Sequence, residues 1–190
     1  FGTHVDFEQI DFDGITKIRA TDIKYAKAMN RSIKLLASSR KEGESYVAMV
    51  APFLLPQTHP LCNVNDVFNG VFVHGNVLGD AMFYGSGAGK LPTASAVVAD
   101  IVDMAKHQHV NIVIDWKEEK MELLDYKDCT NAFFVRTAAS KADAEKVFGK
   151  VTYVEAGISG EIGFTTAAMP EGEFETKAEE LGILNRIRLA

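Results

Sequence analysis

Gly85, Gly87 and Gly89 stand two apart in the run "YGSGAGKLPTASAVVADIVD" (residues 84–103), directly ahead of an amphipathic stretch. Glycines open backbone angles that other residues avoid, so such a turn brings main-chain N–H groups close to a ligand. Pro92 suits a first helical position, and Ala94, Val97, Val98, Ile101, Met104 and Ala105 recur at helical spacing after it. The unpaired N–H groups of that helix start favour negative charge, so a compact anion or a cofactor can dock there. The same pattern also suits a plain, tight strand-to-helix connection. Two better-known phosphate fingerprints fail. A GxGxxG needs a glycine where Lys90 or Pro92 stands, and a P-loop needs glycine at Tyr84 and a hydroxyl residue at Leu91.

The remaining candidates are weaker. His107 and His109 alternate, a spacing that places two imidazoles on one strand face, but no cysteine or carboxylate cluster completes a metal set. A solvated helix exit is the plainer reading, and no metal is expected. Cys62 and Cys129 are far apart and form no CxxC, which reads as two free thiols in a reducing, cytoplasmic setting. A net charge of −6 supplies no basic stripe for nucleic acid. Nor does any apolar run reach the length of a membrane span.

The elements that must position the glycines follow from periodicity. Residues 80–84 read as a strand entering the turn, and 67–74 with 78–84 as a strand pair turning at Gly75 and Asn76. Residues 32–39 and 46–53 form a hairpin pattern around "RKEGE", with Gly43 in the loop. Residues 5–10 and 14–18 are strand or turn pieces, and 21–29 is a helix capped by Thr21 or Asp22. Together they predict an α/β (α+β) fold, a mixed sheet with helices on one face. Residues 107–130 read as a linker with one short strand, in which Trp116 and Tyr126 anchor packing. From residue 131 the order is strand, helix, strand, strand, helix, strand: Ser140 caps a helix to Phe148, and Gly182 stops the helix 171–181.

The segment "FYGSGAGKLPTASAVVADIVD" (83–103) closely resembles the end of the catalytic region of homoserine dehydrogenases. "DFDGITKIRATDIKYAKAMNRSIKLLA" (11–37) is similar to that family's EGI, DI and KLL pattern, and "VAPFLLPQTHPLCNVNDVFNGVFV" (50–73) to its hPLa.V...NAv stretch. Residues 1–106 are thereby identified as the later part of that catalytic and dimerisation region. "NAFFVRTAA" and "NRIRLA" resemble the first and last strands of the ACT domain that closes many members, which makes 131–190 a smaller, ferredoxin-like βαββαβ unit.

This resemblance implies interconversion of L-aspartate 4-semialdehyde and L-homoserine with NADP or NAD, on the route to threonine, methionine and isoleucine, by a homodimer. It implies that Gly89 contacts the nucleotide, that Gly87 and Ala88 shape the turn, and that Thr93 assists. The chain opens at Phe1 without methionine or targeting segment. The resemblance therefore implies a dinucleotide-binding domain upstream, along with the Glu, Asp and Lys that hold and turn over substrate. No catalytic residue carries over, since Lys34 falls in the later KLL pattern, so a fragment that is inactive alone is expected. Ligand-binding ACT domains follow their first strand with Asp-x-x-Gly. Here "AASKADAEKVFGK" has Asp143 but no glycine before Gly149, a departure from the threonine-binding pattern that leaves a packing or association module as the alternative.

Overall fold

The computed structural model describes residues 2–43, 45–113 and 117–190. In chain order the elements are β1 (Thr3–His4), β2 (Asp11–Phe12), α1 (Ala20–Ala28), β3 (Arg31–Glu42), β4 (Ser45–Pro56), β5 (Phe68–Gly75), β6 (Gly79–Ser86) and α2 (Lys90–Lys106). There follow β7 (Lys117–Lys120), β8 (Thr130–Thr137), α3 (Lys141–Phe148), β9 (Thr152–Val154), β10 (Ile162–Thr165), β11 (Met169–Pro170), α4 (Glu171–Leu181) and β12 (Ile183–Leu189). They form two compact units, Phe1–Gln57 with Lys117–Ala190, and Thr58–Trp116. The first unit is discontinuous because the last strand of the chain joins a sheet begun near its start. The anchoring role expected of Trp116 lies outside the described residues.

In the first unit β3 and β4 make a long antiparallel hairpin, with Glu42 opposite Ser45 and Gly43 in a left-handed conformation (φ 63°) at the loop. The apolar run of β4 is that of a strand covered on both sides, and Ala51, Leu54 and Leu55 are fully buried. The other edge of β4 pairs in parallel with β2 and, through Phe53 and Leu54, with Arg188 and Leu189 of β12. From there the sheet continues β12–β8–β10–β9, all antiparallel.

Side chains alternate across a strand, and β8 uses both faces. Phe133 and Val135 pack under α3 and α4 with Phe148, Phe164 and Phe174. Phe134, between them, packs with Tyr25 and Ala26 of α1, its ring 5.1 Å from that of Tyr25. Burying each such aromatic contributes about 1.5–3 kcal/mol. The mixed sheet with packed helices is as expected. A single helix-covered face describes only the α1 side, because α3 and α4 cover the opposite face of the shared sheet.

Helix α1 closes its N-terminus through its third residue: the Asp22 carboxylate accepts the Arg19 N–H at 2.7 Å. Thr21, also expected as a cap, lies inside the helix. Ser140 caps α3 by accepting the Asp143 N–H, and Gly182 ends α4 in a left-handed conformation (φ 66°), both as expected.

The second unit is the β5–β6 hairpin followed by α2. Its register runs from Phe68 opposite Ser86 to Gly75 opposite Gly79, so the loop holds residues 76–78. Phe68 and Tyr84 stack on one face, with ring centroids 4.9 Å apart. Where a β-carbon would stand on Gly70, the side chains of Val64, Leu61 and Met82 already lie within 2.8–3.0 Å, so that position accepts only glycine without rearrangement.

Candidate functional site

The glycine-rich connection joins β6 to α2, and its three glycines serve different ends. Gly85 stays in extended β6, opposite Asn69. Gly87 leaves the strand and donates its N–H to the Val67 carbonyl at 3.2 Å, which ties the turn to the start of β5. Its missing side chain leaves the space that the Asn69 carboxamide fills, since a β-carbon there would lie 1.5 Å from Nδ2 of Asn69. Gly89 is the one of the three with a positive φ, at 118° with ψ 154°, and it is the residue from which α2 departs. The expectation that all three supply unusual backbone angles therefore holds at Gly89 alone.

Thr93 donates its N–H to the Gly89 carbonyl at 3.1 Å, the first bond of the helix. The N–H groups of Lys90 and Leu91 precede that bond and have no partner within the helix. Pro92 occupies the third helical position, not the first as expected, because Lys90 and Leu91 already have helical geometry. It is tolerated there because its absent N–H is another of those a helix start leaves unpaired. Gly87, Ala88, Gly89 and Thr93 thus lie together at one exposed turn, as their spacing suggested. Backbone donors at a helix start, reached past a residue with no side chain, suit a compact anionic group.

His107 and His109 come to a different end. His107 caps α2, with Nδ1 2.9 Å from the Asp103 carbonyl and 3.2 Å from its carboxylate, while His109 takes a left-handed conformation. Among the described residues no three His, Cys, Asp or Glu side chains gather as a metal set.

The strongest electrostatics lie in the first unit. Arg188, fully buried, grips Glu171 with two bonds of 2.6 Å and reaches Asp13 at 3.1 Å. Arg136 pairs with Glu161 at 2.7 and 2.8 Å and with the fully buried Asp22 at 2.8 Å. Burial pushes the Asp13 carboxyl up, but Arg186 and Arg188 pull harder and hold it below its ordinary value. Burial would lower Arg188, and the bonds to Glu171 and Asp13 outweigh it. Tyr126, half-buried and donating to Glu175, is pushed up to about 12, first by burial and then by that carboxylate. These clusters escaped the sequence reading. Their one local signal is Arg186 and Arg188 alternating with Leu and Ile in β12, inward-facing charges in a strand that packs on both faces.

The turn between β8 and α3 uses its own side chains to satisfy its backbone. Ala139 N–H donates to Thr137 Oγ1 at 3.1 Å, Asp143 N–H donates to Ser140 Oγ, and that hydroxyl donates to the Asp143 carboxylate at 2.6 Å.

The model of the homoserine dehydrogenase family matches residues 1–102. The homoserine dehydrogenase of Neisseria gonorrhoeae is 46% identical over 56% of this chain and 24% of its own length. That of Synechocystis is 32% identical over 99% of this chain and 49% of its own. Among solved structures, a homoserine dehydrogenase from Thiobacillus denitrificans is 25% identical with a TM-score of 0.80, covering 97% of this chain and 48% of that one. The chain thus spans about a quarter to a half of the length of the relatives it matches.

Proposed function

The chain belongs to the homoserine dehydrogenase family, and from that premise we propose that it supplies the later part of an NAD(P)-dependent oxidoreductase interconverting L-aspartate 4-semialdehyde and L-homoserine. The observation that carries this reading is the family match running into the turn at Gly87–Gly89 and α2. NAD or NADP, when bound, supplies the hydride acceptor or donor. This chain's share would be to hold it: Gly89 leaves the approach open, the Lys90 and Leu91 N–H groups would be the donors for its charged oxygens, and Ala88 and Thr93 border the turn. Substrate binding and proton transfer are assigned to residues outside this chain, so the chain alone is inactive in this proposal.

Residues 131–190 are read as an ACT-like unit. What supports this is the order β8–α3–β9–β10–α4–β12, interrupted only by the two-residue β11 before α4, with β8 central between β12 and β10. At the β8–α3 turn Ala139 and Asp143 already spend their N–H groups on Thr137 and Ser140, which favours packing and subunit association over threonine binding. A homodimer fits the long outer strand β3, which pairs on one side with β4. The buried thiols Cys62 and Cys129 suit the cytoplasm.

The test is homoserine-dependent reduction of NAD and NADP by a form extended at its N-terminus to the length of the relatives, with this chain assayed beside it. Activity in the extended form alone is expected. An inactive extended form overturns the proposal, and an active 190-residue chain overturns the placement of the chemistry outside it.

A further inference from the structure

Asn69 lies beside the glycine turn and has no place in the function assigned to it. It sits on β5 opposite Gly85. Its neighbour Gly70 faces the cluster of Leu61, Val64 and Met82. Successive residues of a strand point to opposite faces, so the packing of Gly70 commits Asn69 to the side where the chain turns from β6 towards α2. There the Asn69 carboxamide covers Gly87, with Nδ2 1.5 Å, Cγ 2.8 Å and Oδ1 3.6 Å from where a β-carbon would stand. The carboxamide makes no hydrogen bond to any described residue, so shape is what relates it to the turn. Gly87 is also tethered by its N–H to Val67, two residues before Asn69 on the same edge. The turn is therefore gripped from β5 at two points, a backbone bond and a side chain laid over Gly87, and Gly89 is two residues further on.

Building on the function proposed above, we propose that Asn69 is a positioning residue of the cofactor turn, acting through Gly87 to fix where Gly89 and the start of α2 present their backbone. The contact is with the tip of a flexible side chain. Alanine at 87 therefore displaces the carboxamide without breaking the hairpin, and Gly87→Ala and Asn69→Ala remove the same contact by different routes.

This makes a double-mutant cycle decisive. In the extended enzyme each single variant raises the KM for NAD(P) about fivefold or more with kcat within about twofold, and the double variant is no worse than the weaker single. An unchanged KM in Asn69→Ala, or a double variant whose loss is the product of the two, overturns the proposal while the dehydrogenase function stands. An extended wild type without activity overturns the function itself. The geometric premise has its own readout in the 190-residue chain: the side-chain NH₂ resonances of Asn69, identified by their loss in Asn69→Ala, shift in Gly87→Ala. Resonances that stay in place refute the contact whatever the enzyme does.

Discussion

Replacing Arg188 by methionine tests the ionic centre of the sheet. The guanidinium is fully buried, bonded twice to Glu171 at 2.6 Å and once to Asp13 at 3.1 Å. Methionine fills much of the same volume but leaves Glu171, 1% exposed, with Asn131 as its remaining side-chain donor at 2.7 Å. Removing one partner of a buried pair costs about 3–5 kcal/mol, since the survivor keeps its charge and loses its counterion. At roughly 2–4 °C per kcal/mol for a chain of this size, Tm falls by about 10 °C. Urea unfolding followed by far-UV circular dichroism reads the free energy directly. The double variant Arg188→Met/Glu171→Met removes both charges and recovers most of the loss. As a control, Arg40→Ala breaks a pair whose side chains are 49% and 44% exposed and costs under about 1 kcal/mol. A single-variant loss no larger than that of the control, or a double variant as unstable as the single, refutes the reasoning.

Other outcomes follow from the same structure. A β-carbon on Gly163 would lie 2.4 Å from the Tyr25 ring, so Gly163→Ala overpacks the α1 face and costs about 1–3 kcal/mol in the same unfolding assay. The Tyr126 hydroxyl is raised from 10.0 to about 12, so the fold favours its neutral form. The stability this lends is present below pH 10 and is lost as pH rises towards 12, and phenolate absorbance places its titration lower in Glu175→Gln. Asp13 is held below its ordinary value, so the stability it lends is present above the ordinary carboxylate range and disappears as pH falls through the lowered value; acid unfolding curves of the wild type and Asp13→Asn converge at low pH. Gly89→Val puts a branched side chain at φ 118° and in the extended enzyme raises the cofactor KM by about tenfold or more while the circular dichroism spectrum is kept.

Elements whose cause is local were legible in the sequence. The bounds of α4, its stop at Gly182, the Ser140 cap and the β3–β4 turn at Gly43 follow from residue types acting within a few positions of themselves. Helix α2 was legible too, though its start was placed two residues late by giving Pro92 the first position. What escaped was set across long separations. Nothing near Leu189 announces that it will pair with Leu54, and Asp22 meets Arg136 only because α1 lies on β8. The glycine turn was found by spacing, whereas the side chain that fills the space at Gly87 comes from another strand, in Asn69.

The parallel pairing of β12 with β4 also bears on how the protein is made. Until residues 183–189 leave the ribosome, β4 waits with part of one edge unpaired and β8 without one of its neighbours. An apolar strand with open backbone groups is a template for the wrong partner. Before β12 docks, the sheet therefore carries exposed strand edge that is open to wrong pairing. Without residues 183–189 the sheet is unfinished, and Glu171 lacks the Arg188 guanidinium that answers its charge.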